Sequence, residues 1–203
     1  MCEIENKFFI YRPIKTKNNF YYSKVLYNES DLTFQPPKSS ILLQKDKNRA
    51  KILLDEETAE FVKNVSTNVI NITSEKSEDF FGKSINVEDC SSIYKEALNS
   101  ENYINCFYDE DLIVFDSKKN HLDVEKLDDT FEGICILKCE CVIYTKTSFY
   151  IRWEISQIKV KTNKSKESQD LVLIDYSILD LPEHAEPIDG DPLVKKLEEI
   201  CLF

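Results

Sequence analysis

Three cysteines in one short stretch, Cys135, Cys139 and Cys141, are the first residues whose type and spacing suggest chemistry. A structural zinc site needs paired knuckles such as C-x2-C, and C-x3-C-x-C lacks them. The three alternate along an apolar run with Leu137 and Ile143, which places them on one strand face as small hydrophobes. No local Cys/His signature supports nucleophilic catalysis. His121 and His184 fall in loop-like segments without ligand spacing. The carboxylate clusters Asp109-Glu-Asp111 and Asp128-Asp129 read as solvated turns. The G-x-S-x-G, P-loop and G-x-G-x-x-G motifs are absent, and three glycines are too few to cradle a phosphate. The expectation is a protein that is not an enzyme and uses no cofactor or metal.

Polymer binding suits other residues better. The run Phe149-Tyr-Ile-Arg-Trp-Glu-Ile-Ser-Gln-Ile-Lys-Val-Lys161 holds the only tryptophan and leads into a lysine-rich loop. Aromatic rings beside cations are what a single-stranded nucleic acid requires: rings for bases, cations for phosphates. The candidate stacking residues are Tyr150, Tyr144 and Tyr22. The candidate phosphate contacts are Arg152, Lys146, Lys159, Lys161, Lys164, Lys166 and Lys24. Trp153 shares an apolar strand face with Phe149, Ile151 and Ile155, so it reads as core. Tyr150 and Arg152 lie on the opposite face and are the better contacts.

Charge alternates along the chain. Residues 1–54 carry ten Lys/Arg against five Asp/Glu, and residues 143–168 carry six against two. Residues 55–142 carry eight against twenty-one, and residues 169–203 two against nine. A net charge of −11 therefore hides two basic blocks. If the fold joins them, they make a positive face on a negative body.

The elements that must position these residues are legible as patterns. Short strands are expected at 7–11, 20–27, 40–44 and 50–54, with turns at 17–19 and 45–49. Asp55 and Asn86 are N-caps for two helices that fill an insertion over about 55–99, and Gly82 is a C-cap between them. Strands return at 103–108 and 112–115. Two long strands, 132–144 and 149–161, form a hairpin through Thr145–Ser148. Apolar residues shift from odd to even positions between Ile155 and Ile158, which signals a β-bulge. A last strand is expected at 171–178 and a short amphipathic helix at 192–203. The result is an α+β fold: a curved antiparallel sheet or OB-like barrel with a two-helix insertion and a C-terminal helix. One domain spans 1–178, and 179–203 form an acidic tail.

With 42% hydrophobic residues the chain can build a core. No apolar run approaches eighteen residues, so no membrane partner is expected. The polar N-terminus lacks a signal-peptide core, and seven cysteines in an intracellular chain read as free thiols.

Several segments resemble an uncharacterised family encoded by large nucleocytoplasmic DNA viruses of algae and amoebae. They are Tyr22-Ser-Lys-Val-Leu-Tyr27, Phe34-Gln-Pro-Pro37, Glu75-Lys-Ser-Glu-Asp-Phe-Phe-Gly82, Phe115-Asp116, and the hairpin from Ile134 to Val160 with Phe149 and Gln157. The family often carries Trp where this chain has Phe80. The resemblance implies a viral setting, in the host cytoplasm at the viral factory or in the virion, and no defined activity. At fold level the chain is also similar to viral and phage single-stranded DNA-binding proteins, which pair an OB barrel with an acidic tail ending in an aromatic residue. Here the tail ends in Phe203, and its amphipathic pattern departs from theirs. The expected function is therefore non-catalytic single-stranded nucleic-acid binding, in viral DNA replication. The rival is a virion or scaffold protein that contacts other viral proteins through its C-terminal segment. Either is compatible with a homo-oligomer.

Overall fold

The computed structural model describes residues 7–17 and 20–161. The N-terminal segment forms short strands: β1 (Phe8–Ile10), β2 (Ile14–Lys15), β3 (Tyr21–Ser23), β4 (Val25–Tyr27), β5 (Ser30–Asp31) and β6 (Thr33–Phe34). The single strand expected over 20–27 is two. Lys24 separates β3, which joins the main sheet, from β4, which pairs with β1 and β5 in a separate small sheet. The chain can thus bury Ser23 and Val25 on different elements.

Next come β7 (Ser39–Gln44) and β8 (Arg49–Leu53), a hairpin turned by one 3-10 turn at Lys45–Lys47. Asn48 closes it in the left-handed region, φ 49°, which asparagine tolerates better than most residues. The insertion holds three helices where two were expected: α1 (Glu56–Glu75), α2 (Ser77–Phe81) and α3 (Val87–Ile93). The caps are as the sequence indicates. Asp55 accepts from the Thr58 N–H, Asn86 accepts from the Asp89 N–H, and Gly82 ends α2 at φ 68°. The extra helix forms because Asp79-Phe-Phe continues helical after a break at Lys76. Phe80 packs against the core while Phe81 stays exposed.

The rest is β9 (Tyr103–Phe107), β10 (Ile113–Phe115), β11 (Thr130–Tyr144) and β12 (Phe149–Val160). Along one edge β11 pairs with β7, β6 and β3, and along the other with β12. β12 in turn pairs with β9 and β10, both parallel. The sheet is therefore mixed rather than purely antiparallel. The circuit β7–β8–β9–β12–β11 closes a five-stranded barrel of OB-like connectivity, with the helices inserted between its second and third strands.

The bulge expected between Ile155 and Ile158 is present. Ile136 faces Gln157 while Leu137 faces Ile155, so Ser156 is the extra residue. A second bulge was not foreseen: Cys139 faces Trp153 and Cys141 faces Arg152, which leaves Glu140 extra on β11. It flips the strand. Cys135, Leu137, Cys139, Val142 and Tyr144 face the main core, whereas Cys141 and Ile143 move to the outer face. The one-face grouping of the cysteines therefore holds only as far as Cys139. Gly133 is placed by crowding in the hairpin: an added Cβ would lie 2.9 Å from the Lys159 carbonyl oxygen.

The core sits between the barrel interior and α1. Trp153 is fully buried, with the Phe34 ring edge-on to it at 5.7 Å. Tyr94 donates to Ser66 on α1 at 3.0 Å, and Ser66 donates on to the Val62 carbonyl at 3.1 Å. These bonds satisfy buried hydroxyls where the helix meets the barrel. The expected strand at 171–178, the C-terminal helix and the tail lie outside the described residues.

Candidate nucleic-acid interface

Strand alternation determines which side chains face outward. On β8 Ala50 and Ile52 are buried, so Arg49, Lys51 and Leu53 turn out. On β9 Ile104 and Cys106 are buried, so Tyr103, Asn105 and Phe107 turn out. On β12 Tyr150, Arg152 and Glu154 turn out. Register joins the three strands into one face: Arg49 lies across from Phe107, Lys51 from Asn105, and Glu154 from Phe107.

Phe107 is the centre of this face. The Arg49 guanidinium carbon lies 4.8 Å from its ring centroid and that of Arg152 lies 4.6 Å away. Both distances fit cation–π contact. Arg49 comes from the first basic block and Arg152 from the second, so the fold joins the two blocks at one aromatic ring. No carboxylate pairs with Arg49 among the described residues. Arg152 is tethered by Asp109 at 3.4 Å. Asp109 and Glu140 also lie near Glu154. Burial first, then these like charges, push the Glu154 carboxyl above its ordinary range, and Arg152 opposes them.

Of the expected contacts, Tyr150 and Arg152 take the outer face, half-buried. Tyr22 is exposed and in register with Ile143, which is in register with Tyr150. Lys146 is exposed in the β11–β12 turn. Lys159 and Lys161 lie at the far end of β12, away from Phe107. Lys24 is paired with Asp31 at 2.8 Å. Tyr144 requires correction. The bulge at Glu140 turns it inward, where it is 4% exposed and its hydroxyl lies 3.1 Å from the Thr73 hydroxyl. Burial pushes its phenol up to about 12, and no base can reach its ring. Lys164 and Lys166 lie outside the described residues. Arg49, Lys51 and Phe107 were missed. The signal for Arg49 and Lys51 was the alternation Arg49-Ala-Lys-Ile-Leu53, an outward basic row that begins one residue before the expected strand, and the signal for Phe107 was the alternation Tyr103-Ile-Asn-Cys-Phe107.

The five described thiols are all buried, which favours the protonated form over the nucleophilic thiolate. Burial pushes Cys135 up to about 12, and Cys141, also beside Glu140, up to about 11. Among the described residues no three His, Cys, Asp or Glu side chains converge as metal ligands. No described helix is long and apolar enough to cross a membrane.

The chain belongs to a family of unknown function (DUF5871), which it matches over residues 40–175. No curated protein matches it. Among solved structures it is similar to a C-terminally truncated single-stranded DNA-binding protein from bacteriophage Enc34, at 13% identity and TM-score 0.43, over 77% of this chain and 96% of that one. The complex of the Enc34 protein with single-stranded DNA matches at 12% identity and TM-score 0.40, over 76% and 96%. A single-stranded DNA-binding protein encoded by bacteriophage T7 matches at 9% and 0.40, over 74% and 100%.

Proposed function

We propose that this protein binds single-stranded nucleic acid, without catalysis, on the outer face of β8, β9 and β12. The observation that carries the reading is Phe107 held between Arg49 and Arg152. The ring and the two guanidiniums over it make one planar, cationic surface, on which bases stack while the guanidiniums meet the flanking phosphates. Lys51 and Tyr150 extend the face on either side. Two loops border it: Lys45–Asn48, with Lys47 exposed, and Thr145–Ser148, with Lys146 exposed. Barrels of this connectivity use the second and third strands and these two loops for oligonucleotides, which supports the reading by analogy of fold. The viral setting, at the viral factory or in the virion, is part of the same proposal and rests on the sequence resemblance.

Titration of a labelled single-stranded oligonucleotide at low and moderate salt tests it. The expected result is binding that weakens steeply with salt and that unlabelled duplex competes for poorly. Absence of binding at low salt rejects it. A second reading, a virion or scaffold component, draws on exposed Phe9, Tyr11 and Phe81. Stable homo-oligomers without nucleic-acid affinity would select that reading.

A further inference from the structure

The outer face does not stop at β12. Towards the hairpin tip, register carries it across β11 onto β3 and β2: Tyr150 lies across from Ile143, Ile143 from Tyr22, and Tyr22 from Ile14. Paired residues share one side of a sheet, so these four form a single row. Ile143 is covered within it, at 8% exposure, while Tyr22 and Ile14 stand open at 37% and 58%.

The chain around this row has one sign of charge. Residues 7–27 contain Lys7, Arg12, Lys15, Lys17 and Lys24 and no Asp or Glu. Lys24 is engaged by Asp31, but Arg12, Lys15 and Lys17 are exposed. The same stretch holds seven aromatic residues, of which Phe9, Tyr11, Tyr21 and Tyr22 are exposed. On the other side of Phe107, past the Lys45–Asn48 loop, lies an acidic wall. Beyond Phe107 the chain turns through Asp109-Glu-Asp111 into a depression of about 420 Å³ whose wall includes Asp109, Glu110, Asp123 and Glu125. A polyanion on Phe107 is repelled on that side and attracted towards β2.

We infer that the β2–β3 ribbon is a second segment of the nucleic-acid path, so that a bound single strand leaves the barrel face at Tyr150 and continues over Tyr22 and Ile14. The inference rests on the barrel reading and adds a direction and a length to it. From β8 to β2 the path crosses five strand-to-strand steps, about 24 Å at ~4.8 Å each, and runs four residues along β12 from Glu154 to Tyr150, about 13 Å more. Tyr22 stacks a base, and Arg12, Lys15 and Lys17 line the backbone.

The test compares 5′-labelled oligothymidines of about four and about twelve nucleotides, the lower and upper parts of the range for one such barrel. Both are titrated by anisotropy into the full chain. The wild-type protein should bind the longer strand more tightly by well over the ratio of lengths. Tyr22→Ala should cut that gain about tenfold. An Arg12→Ser, Lys15→Ser, Lys17→Ser variant should lower the salt slope measured on the long strand by about 2, at ~0.7 per phosphate contact. Phe107→Ala should weaken both lengths. An unchanged length gain in both ribbon variants overturns the inference alone. So do losses of equal size on both strands. A wild-type protein that binds neither strand overturns the barrel reading and this inference together.

Discussion

The two faces of the β11–β12 hairpin are built from alternating residues of the same two strands and share almost nothing in environment. Inward, Trp153, Phe149, Leu137 and Cys139 are all at most 2% exposed and pack in one cluster with α1. Outward, Tyr150, Arg152 and Glu154 alternate with them, half-buried, with the Arg152 guanidinium over the Phe107 ring and Glu154 in register with it. The inner face stabilises the fold through apolar burial, at roughly 25 cal/mol per Å². The outer face holds partly desolvated cations, an aromatic ring and a carboxylate pushed above its usual range. Groups of that kind contribute little to folding, and on the proposed reading they serve the ligand. A strand can carry both roles because its side-chain period is two. The bulges at Ser156 and Glu140 set where the assignment of faces reverses.

Substitutions on the two faces should have different consequences. Trp153→Ala should have the largest effect, a loss of about 3–5 kcal/mol of stability in denaturant unfolding. A loss under about 1 kcal/mol would remove Trp153 from the core account. Phe107→Ala should weaken single-strand binding about tenfold or more while moving the unfolding midpoint much less than Trp153→Ala does. The reverse pattern would make Phe107 a structural residue. Cys139→Ser should cost about 1–3 kcal/mol because its hydroxyl enters a sealed apolar site, and Cys141→Ser should cost less than half as much. Equal losses would contradict the flip at Glu140.

The smallest effect concerns pH. The folded-state pKa of Glu154 is raised, so the folded protein holds this proton more tightly than the unfolded chain does. Stability from this group is then present at low pH and declines as pH rises from the unfolded value, near 4.5, through the folded one. Protonation also removes a negative charge facing Asp109, Glu140 and Arg152, so binding should strengthen as pH falls through the same window. Glu154→Gln should flatten both trends. A pH profile that the substitution does not change would show that Glu154 is not the titrating group.

Much of this was legible beforehand, and the reasons are specific. Asp55 and Asn86 cap helices through contacts three residues away, so local sequence suffices to find them. The β12 bulge left a parity shift between Ile155 and Ile158. The bulge at Glu140 left none, because Cys139, Cys141, Val142 and Ile143 are apolar on both sides of it, and Tyr144 was misassigned as a result. Lys24 divides two strands only because Val25 has β1 as its partner, a tertiary preference that local propensity does not contain. Arg152 was recognised as an outward residue. Its convergence with Arg49 on Phe107 depends on a parallel β9–β12 pairing and a closed barrel, which no local pattern encodes.

The fold brings the two basic blocks together at Phe107, and on the proposed reading they form one nucleic-acid face. The most direct measurement is the salt dependence of single-strand affinity for the wild-type protein and for an Arg49→Ser, Lys51→Ser, Arg152→Ser variant. Three lost phosphate contacts should lower the slope of log affinity against log salt by about 2, with the fold intact by circular dichroism. A slope unchanged by the substitution, or a wild-type affinity indifferent to salt, would contradict it.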